Sequence, residues 1–420
     1  MSWESLADTD YSTQPEGASM MDQGSGDTTS PSDRVANRLV FYFSGFDPRG
    51  PSQYRKLYET EAELQSRVNS LNLKIGKRRK LHSLAHGWTI EHSETGTTTD
   101  YRFLRWDDVI RDNWPKNELE LLKAAGPTYW IFIKENLIPR LLKIAWPAAV
   151  TVSYPLVAFF GLFVVGFCLA GAIAMLPTVT TFSLWLALSM ASCVLLGTFY
   201  LSRFLDTKFR SHWLLRIYAM MQPWAAGKRP KMDERLKEFA QYLLDEIEKS
   251  DADEVLLVGH SVGTILTVSL VTEMLKLDSN LGQKGQDFCL VGLGNCIPLV
   301  SLLSGSQRLR DDLKTVATAP GVQWYDFSAR RDGASVTQID PLEVSGVSRP
   351  EGIPRRPQQY PVRIHKMFSP KKYEIIKKDI FRIHFQYVMA GEQQTDYDFF
   401  AITGGPIKLS ARYPVASSNS

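Results

Sequence analysis

The chain has 420 residues, with 48 Lys+Arg against 45 Asp+Glu and a formal net charge of +3. A balance this close to neutral, with no dominant basic region, argues against nucleic acid as a partner. Hydrophobic residues at 44% and charged residues at 22% are globular proportions and exclude a chain disordered throughout.

Met1–Asp33 carries seven acidic residues and no Lys or Arg, and has no apolar stretch, so it is not expected to be a signal peptide. Its Ser, Thr, Gly and Asp cannot bury enough surface to offset the entropy of ordering. Residues 1–36 are therefore expected to be a disordered acidic tail. Arg38–Phe43 is an apolar strand that runs into the loop chemistry of Ser44-Gly45-Phe46-Asp47-Pro48-Arg49-Gly50. A charged helix is predicted from about Ser52 to Asn69. Residues 71–93 are predicted as a hairpin around Lys77-Arg78-Arg79-Lys80, and Tyr101–Trp106 as a further strand. Residues 37–143 form the first part of the expected α/β domain. Arg49 and the basic cluster at 77–80 fit either a solvated loop or contact with acidic lipid headgroups.

From Ile144 to Ser202 there are 59 residues without Asp, Glu, Lys or Arg. One helix needs roughly 20 apolar residues to cross the hydrocarbon of a bilayer. The run supplies two: Trp146 to about Ala174, a turn at Met175–Thr178, and Phe182–Leu201. The segment 144–202 is thus expected to be a transmembrane helical hairpin. Lys134, Arg140 and Lys143 precede it, and Arg203, Lys208 and Arg210 follow it. The positive-inside rule then puts both flanks, and with them the N- and C-terminal parts, in the cytoplasm, with two spans in the inner (plasma) membrane. Residues 203–230 are expected to be an interfacial segment. Within it, 208–221 places Trp213, Leu214, Ile217, Tyr218 and Met221 among basic residues, as an interfacial or an ordinary surface helix would.

Beyond it, Asp233–Lys249 has apolar residues at i, i+3, i+4 and i+7, an amphipathic helix. Glu254–Val258 is a strand, and Val262–Leu277 a helix apolar nearly all round and therefore buried. Phe288–Leu293, Val322–Phe327 and Val362–Phe368 are further strands. Strands separated by helices predict a mostly parallel sheet with helices on both faces. Residues 231–405 are the second part of this domain, and 406–420 a C-terminal tail. The four cysteines, Cys168, Cys193, Cys289 and Cys296, have neither disulfide-framework nor zinc-ligand spacing, and suit a reducing compartment. No dinucleotide fingerprint, phosphate loop or H-E-x-x-H occurs, so no cofactor or metal is expected.

Gly259-His260-Ser261-Val262-Gly263 fits G-x-S-x-G between a buried strand and a helix. The small residues let neighbouring backbone pass close to a serine held on a sharp turn. The helix N-terminus brings partial positive charge to a developing oxyanion. On this motif, and on the order of elements over roughly residues 40–400, the chain resembles the α/β-hydrolase superfamily. The resemblance implies an α/β-hydrolase-like sheet, here interrupted by the hairpin, and a nucleophile, acid and histidine in that chain order. Ser261 is then the nucleophile. Asp332 stands just past the Val322–Phe327 strand, with Asp326 and Asp340 as competitors. His384 lies beyond the last strand and is preferred to His365 within it. His260 is the nucleophile's own neighbour and a poor base. The oxyanion donors are the backbone N–H groups of Val262 and Phe46, although this chain has Ser44-Gly45 where many relatives have His-Gly.

The expected activity is therefore that of a membrane-anchored serine esterase or lipase-like enzyme. It would form an acyl-enzyme from a small-molecule or lipid ester, with the hairpin holding the site near the inner leaflet and residues 328–360 shaping specificity. Two other readings belong to different classes: a non-catalytic binding or scaffold protein built on the same fold, and a small transporter, which two spans without a charged residue do not favour. Oligomeric state has no signature in the sequence.

Overall fold

The computed structural model describes residues 30–414. The chain divides into two compact units. The first comprises Asp108 and the residues before it, 234–297, and Asp312 onward; the second comprises Val109–Asp233 and Pro298–Asp311. Residues 109–143 fall in the same unit as the apolar helices.

The first unit is built on one mixed sheet. Its strands are β1 (Asn37–Phe43), β2 (Leu73–Ile75), β3 (Arg79–Lys80), β4 (Ala85–His92), β5 (Thr98–Leu104), β6 (Glu254–His260), β7 (Asp287–Leu293), β8 (Val322–Ser328) and β9 (Gln358–Pro361). The spatial order is β2-β4-β5-β1-β6-β7-β8-β9, with β3 also on β4. From β5 to β9 all neighbours are parallel; β2, β3 and β5 are antiparallel to β4.

Side chains alternate along β1 and both faces are covered. Tyr42 points to one face and meets Tyr54 of the Pro51–Asn69 helix and Phe399 of the Phe399–Gly404 helix. Phe41 and Phe43 point to the other, against Tyr242 and Phe239 of the Pro230–Glu248 helix. The strand order reverses at β1: the chain leaves it to build toward β2, then returns to place β6 on its other side. Crevices at such a switch point, outside the carboxyl ends of the strands, are where open α/β sheets bind ligands.

Three local predictions are corrected. The hairpin does not turn at the basic cluster: His82 and Ala85 exchange backbone hydrogen bonds, and Arg79 and Lys80 lie on β3. The last strand is Gln358–Pro361, not Val362–Phe368. Its partner β8 ends at Ser328 opposite Pro361, the Val362 N–H makes one final bond to the Ser328 carbonyl, and Ile364–Lys366 coils into a 3-10 turn. The tails are also shorter than expected. Val35 is buried and bonded to the Pro406 carbonyl, and Leu409 and Tyr413 are buried, so 30–36 and 406–414 are part of the fold. The rest of the expected acidic tail and C-terminal tail lies outside the described residues.

In the second unit, the helical stretches Trp146–Val179 and Leu184–Asp206 are long and apolar enough to cross a membrane. The first contains a π-helical turn, Leu156–Gly161, directly after Pro155. The residues buried between the stretches are small: Gly166, Ala170, Ala187, Ala191 and Thr198. Phe167, Trp185 and Tyr200 are exposed. The Ser211–Ala225 helix, expected as an interfacial or an ordinary surface helix, is largely buried within the protein. Tyr218 packs edge-on to Tyr129 and Phe132 of the Glu118–Lys134 helix, and Leu214, Ile217 and Met221 are inside as well.

Candidate active site

Ser261 follows β6 and precedes the helix Gly263–Leu277, at the carboxyl end of the sheet next to β1. It is 9% exposed and has φ of +58°, left-handed backbone that costs a non-glycine residue of order 1 kcal/mol or more. Neighbouring contacts hold it there. The Ser261 N–H donates to the Leu293 carbonyl at 2.9 Å, and its own carbonyl accepts from the Thr264 hydroxyl at 2.6 Å. A Cβ on Gly263 would stand 2.5 Å from the Phe43 carbonyl oxygen, and one on Gly259 would stand 2.8 Å from that of Gly263. The turn therefore needs both glycines.

The loop after β1 lies directly on the serine. A Cβ on Gly45 would sit 3.0 Å from Ser261 Cβ and 3.4 Å from its Oγ. The loop is braced from behind. The Trp106 indole N–H donates to the Ser44 carbonyl at 3.1 Å, Phe46 packs edge-on to Trp106, and buried Asp47 accepts from the Tyr54 hydroxyl and from Arg49.

Asp332, 0% exposed, lies in the loop after β8. His384 lies in the short helix Ile380–Phe385, started by Asp379, whose carboxylate accepts from the Phe381 and Arg382 N–H groups. The His384 Nδ1–H faces both Asp332 oxygens, at 2.8 and 3.0 Å. Tyr387 donates its hydroxyl to Asp332 Oδ2 at 2.9 Å, and the Ala334 N–H donates to Oδ1 at 3.0 Å. Burial alone would raise the Asp332 carboxyl, but the His384 ring and the Ser335 and Tyr387 hydroxyls outweigh it and hold it below the ordinary carboxylate range.

Gly294, at φ of +68° just past β7, joins the two halves of the site. A Cβ there would stand 3.3 Å from Asp332 Oδ2 and 3.4 Å from His384 Cε1, while the carbonyl of its neighbour Leu293 accepts from Ser261. The Ser261 hydroxyl itself is turned elsewhere: its polar partner is the Cys296 thiol, at 3.9 Å. Burial keeps Cys296 a thiol, and its N–H donates to Thr264 Oγ1.

The competitors fall away from this cluster. Asp326 is buried within β8 beside Asn295. Asp340 caps the helix Pro341–Val344 and binds Arg349. His365 is exposed in the 3-10 turn. Among the described residues, no group of His, Cys, Asp or Glu could hold a metal ion. Sequence reasoning missed Tyr387, although its i+3 spacing from His384 was a usable signal. Cys296 and Gly294 come close only through the sheet and had no local signature. No protein-family model, no curated protein and no solved structure matches the chain.

Proposed function

We propose that the chain is a membrane-anchored serine hydrolase that cleaves a carboxylic ester through an acyl-enzyme. One observation carries the reading: a buried carboxylate holds one imidazole nitrogen while a serine sits on a strained strand-to-helix turn across a glycine from that ring. A carboxylate on Nδ1 leaves Nε2 as the proton acceptor and stabilises the imidazolium formed during attack.

In the proposed reaction, Ser261 Oγ rotates from Cys296 toward His384, gives up its proton to Nε2 and attacks the ester carbonyl. The Val262 and Phe46 N–H groups receive the oxyanion. Collapse breaks the C–O bond, His384 returns the proton to the leaving alcohol, and water repeats the sequence to free the acid and Ser261. The anchor reading rests on the two long apolar helices, which put small residues inside and large apolar ones outside, an order suited to lipid. With basic flanks, it places both ends of the hairpin on the cytoplasmic side.

The test is covalent labelling of the full-length protein by a fluorophosphonate. Wild type should label and Ser261→Ala should not. A folded wild type that stays unlabelled would transfer support to the binding-protein reading, which the Ser261–Cys296 contact favours.

A further inference from the structure

We infer that the cleft beside the Ala329–Asp332 turn binds the phosphate group of an anionic ligand. Under the ester-hydrolase reading, on which this assignment of the ligand rests, that ligand is a phosphate-bearing lipid ester held by its headgroup.

The cleft has a volume of about 530 Å³ and is lined by Arg330, Arg331, Arg363, His365, Gln338 and Tyr373, together with apolar wall residues and no carboxylate. Two elements bring the cations together. The Asp332 N–H donates to the Ala329 carbonyl at 2.9 Å and closes a turn with Arg330 and Arg331 at its corners, both exposed. Opposite them, the chain leaving β9 alternates: Val362 and Ile364 are buried, while Arg363 and His365 are exposed and line the cleft.

The positive charge there is poorly compensated. Arg330 donates to the neutral Gln338 side chain at 3.2 Å. Among the described residues, the ion pair of Arg363 is with Asp396, at 3.7 Å, with side chains 50% and 89% exposed, where screening leaves little attraction. Arg331 has no ion pair among the described residues. Converging guanidinium groups repel one another, and an anion between them relieves that repulsion.

A tetrahedral phosphate offers enough oxygens for three planar forks, whereas one arginine already satisfies a carboxylate. The sequence that follows is also basic: Lys366, Lys371, Lys372, Lys377 and Lys378 stand against Glu374 and Asp379 in 364–379, with Glu374 paired to Lys377. The cleft also adjoins the catalytic acid. Ala329, in its wall, donates to the Tyr387 hydroxyl, which in turn donates to Asp332.

The experiment uses the full chain carrying Ser261→Ala in neutral detergent, so that nothing is turned over. Binding of dihexanoyl phosphatidic acid is compared with that of dihexanoyl phosphatidylcholine. The acid should bind about tenfold more tightly or better, and Arg331→Gln with Arg363→Gln should erase the difference while the melting temperature stays at the parent's. Inorganic phosphate that displaces the lipid at equal concentration supports the phosphate site and assigns it to the free ion. Failure to displace assigns it to the lipid headgroup. Equal binding of the two lipids, or a preference that survives in the double variant, overturns the proposal. Absence of fluorophosphonate labelling in the wild type would remove the hydrolase reading and leave this binding result standing.

Discussion

The His260 and His384 rings stack, with centroids 5.3 Å apart and planes 28° apart, and the His260 Nε2–H donates to the His384 carbonyl oxygen at 3.1 Å. The residue before Ser261 thus fixes the backbone that carries the His384 ring. His260→Ala should slow labelling of Ser261 by about 10–100-fold, the scale of a roughly 1 Å misplacement. His260→Gln, which can offer an N–H to the same carbonyl, should recover part of the rate. Labelling of the alanine variant at the wild-type rate would rule out a positioning role.

Asp332→Asn should be more severe. It keeps the shape but loses the charge and the tautomer control at Nδ1, for which turnover of a model ester should fall by about 10⁴-fold. The fold should survive, because the Ala334 N–H and the Tyr387 hydroxyl keep partners. A loss below tenfold would mean that the His384–Asp332 pair is structural.

Two glycines separate effects on chemistry from effects on folding. The Cβ of Gly45→Ala meets Ser261 itself, so reactivity should drop by about 100-fold or more with the melting temperature little changed. The Cβ of Gly263→Ala meets the Phe43 carbonyl at 2.5 Å, and backbone cannot rotate away. That variant should be destabilised by about 1–3 kcal/mol, in the range of core overpacking. Thermal unfolding measured beside labelling distinguishes them; the reverse pattern would contradict the contact geometry.

Two buried groups give stability opposite pH dependences. Burial, then the neighbouring His384, lowers His260 to about 3. Between pH 6.5 and 3 the unfolded chain therefore binds the extra proton, and stability falls as pH drops, by on the order of 5 kcal/mol for this group. Burial raises Asp326 to about 8. Between pH 4 and 8 the folded state holds the extra proton, so stability falls as pH rises, by on the order of 6 kcal/mol over the window. Asp326→Asn should stabilise the protein by an amount that grows from pH 5 to pH 8, read from melting temperatures. A constant gain across that range would show that Asp326 is ionised in the fold.

Arg38 and Glu254 sit opposite each other on β1 and β6 at the strand ends away from Ser261, with side chains 0% exposed and 2.7 Å apart. Arg38 also donates to the Gly405 and Ile407 carbonyls, and the Leu409 N–H donates to Glu254. Glu254→Ala should cost about 3–5 kcal/mol by stranding a buried guanidinium. The fraction that remains folded should label normally. A cost under 1 kcal/mol in denaturant melts would mean that water reaches the pair.

The parts legible in the sequence were those written in short-range pattern. The period of Asp233–Lys249, the apolar run Glu254–Val258 and the small residues around Ser261 each carry their own signal. The approach of Asp332 to His384 could be anticipated only through chain order, because the two residues are joined by folding rather than by spacing. What was misread depended on partners. Val362–Phe368 looks like a strand, but β8 had already ended. The apolar residues of 211–225 look ready for lipid, but another helix covers them. Tyr387 and Gly294 act by touching residues from distant elements, and no local composition announces that.

Strand β1 has its second neighbour far away along the chain. Arg38 faces a residue 216 positions later, and the two long apolar helices are made in between. At about 5–20 residues per second, roughly 10–40 s of synthesis separate one side of this strand from the other. Throughout that interval the ribosome-bound half carries an open hydrogen-bonding edge at its most apolar strand. Holding that edge apart from other nascent chains is a demand on the cell's chaperones that the finished sheet no longer makes.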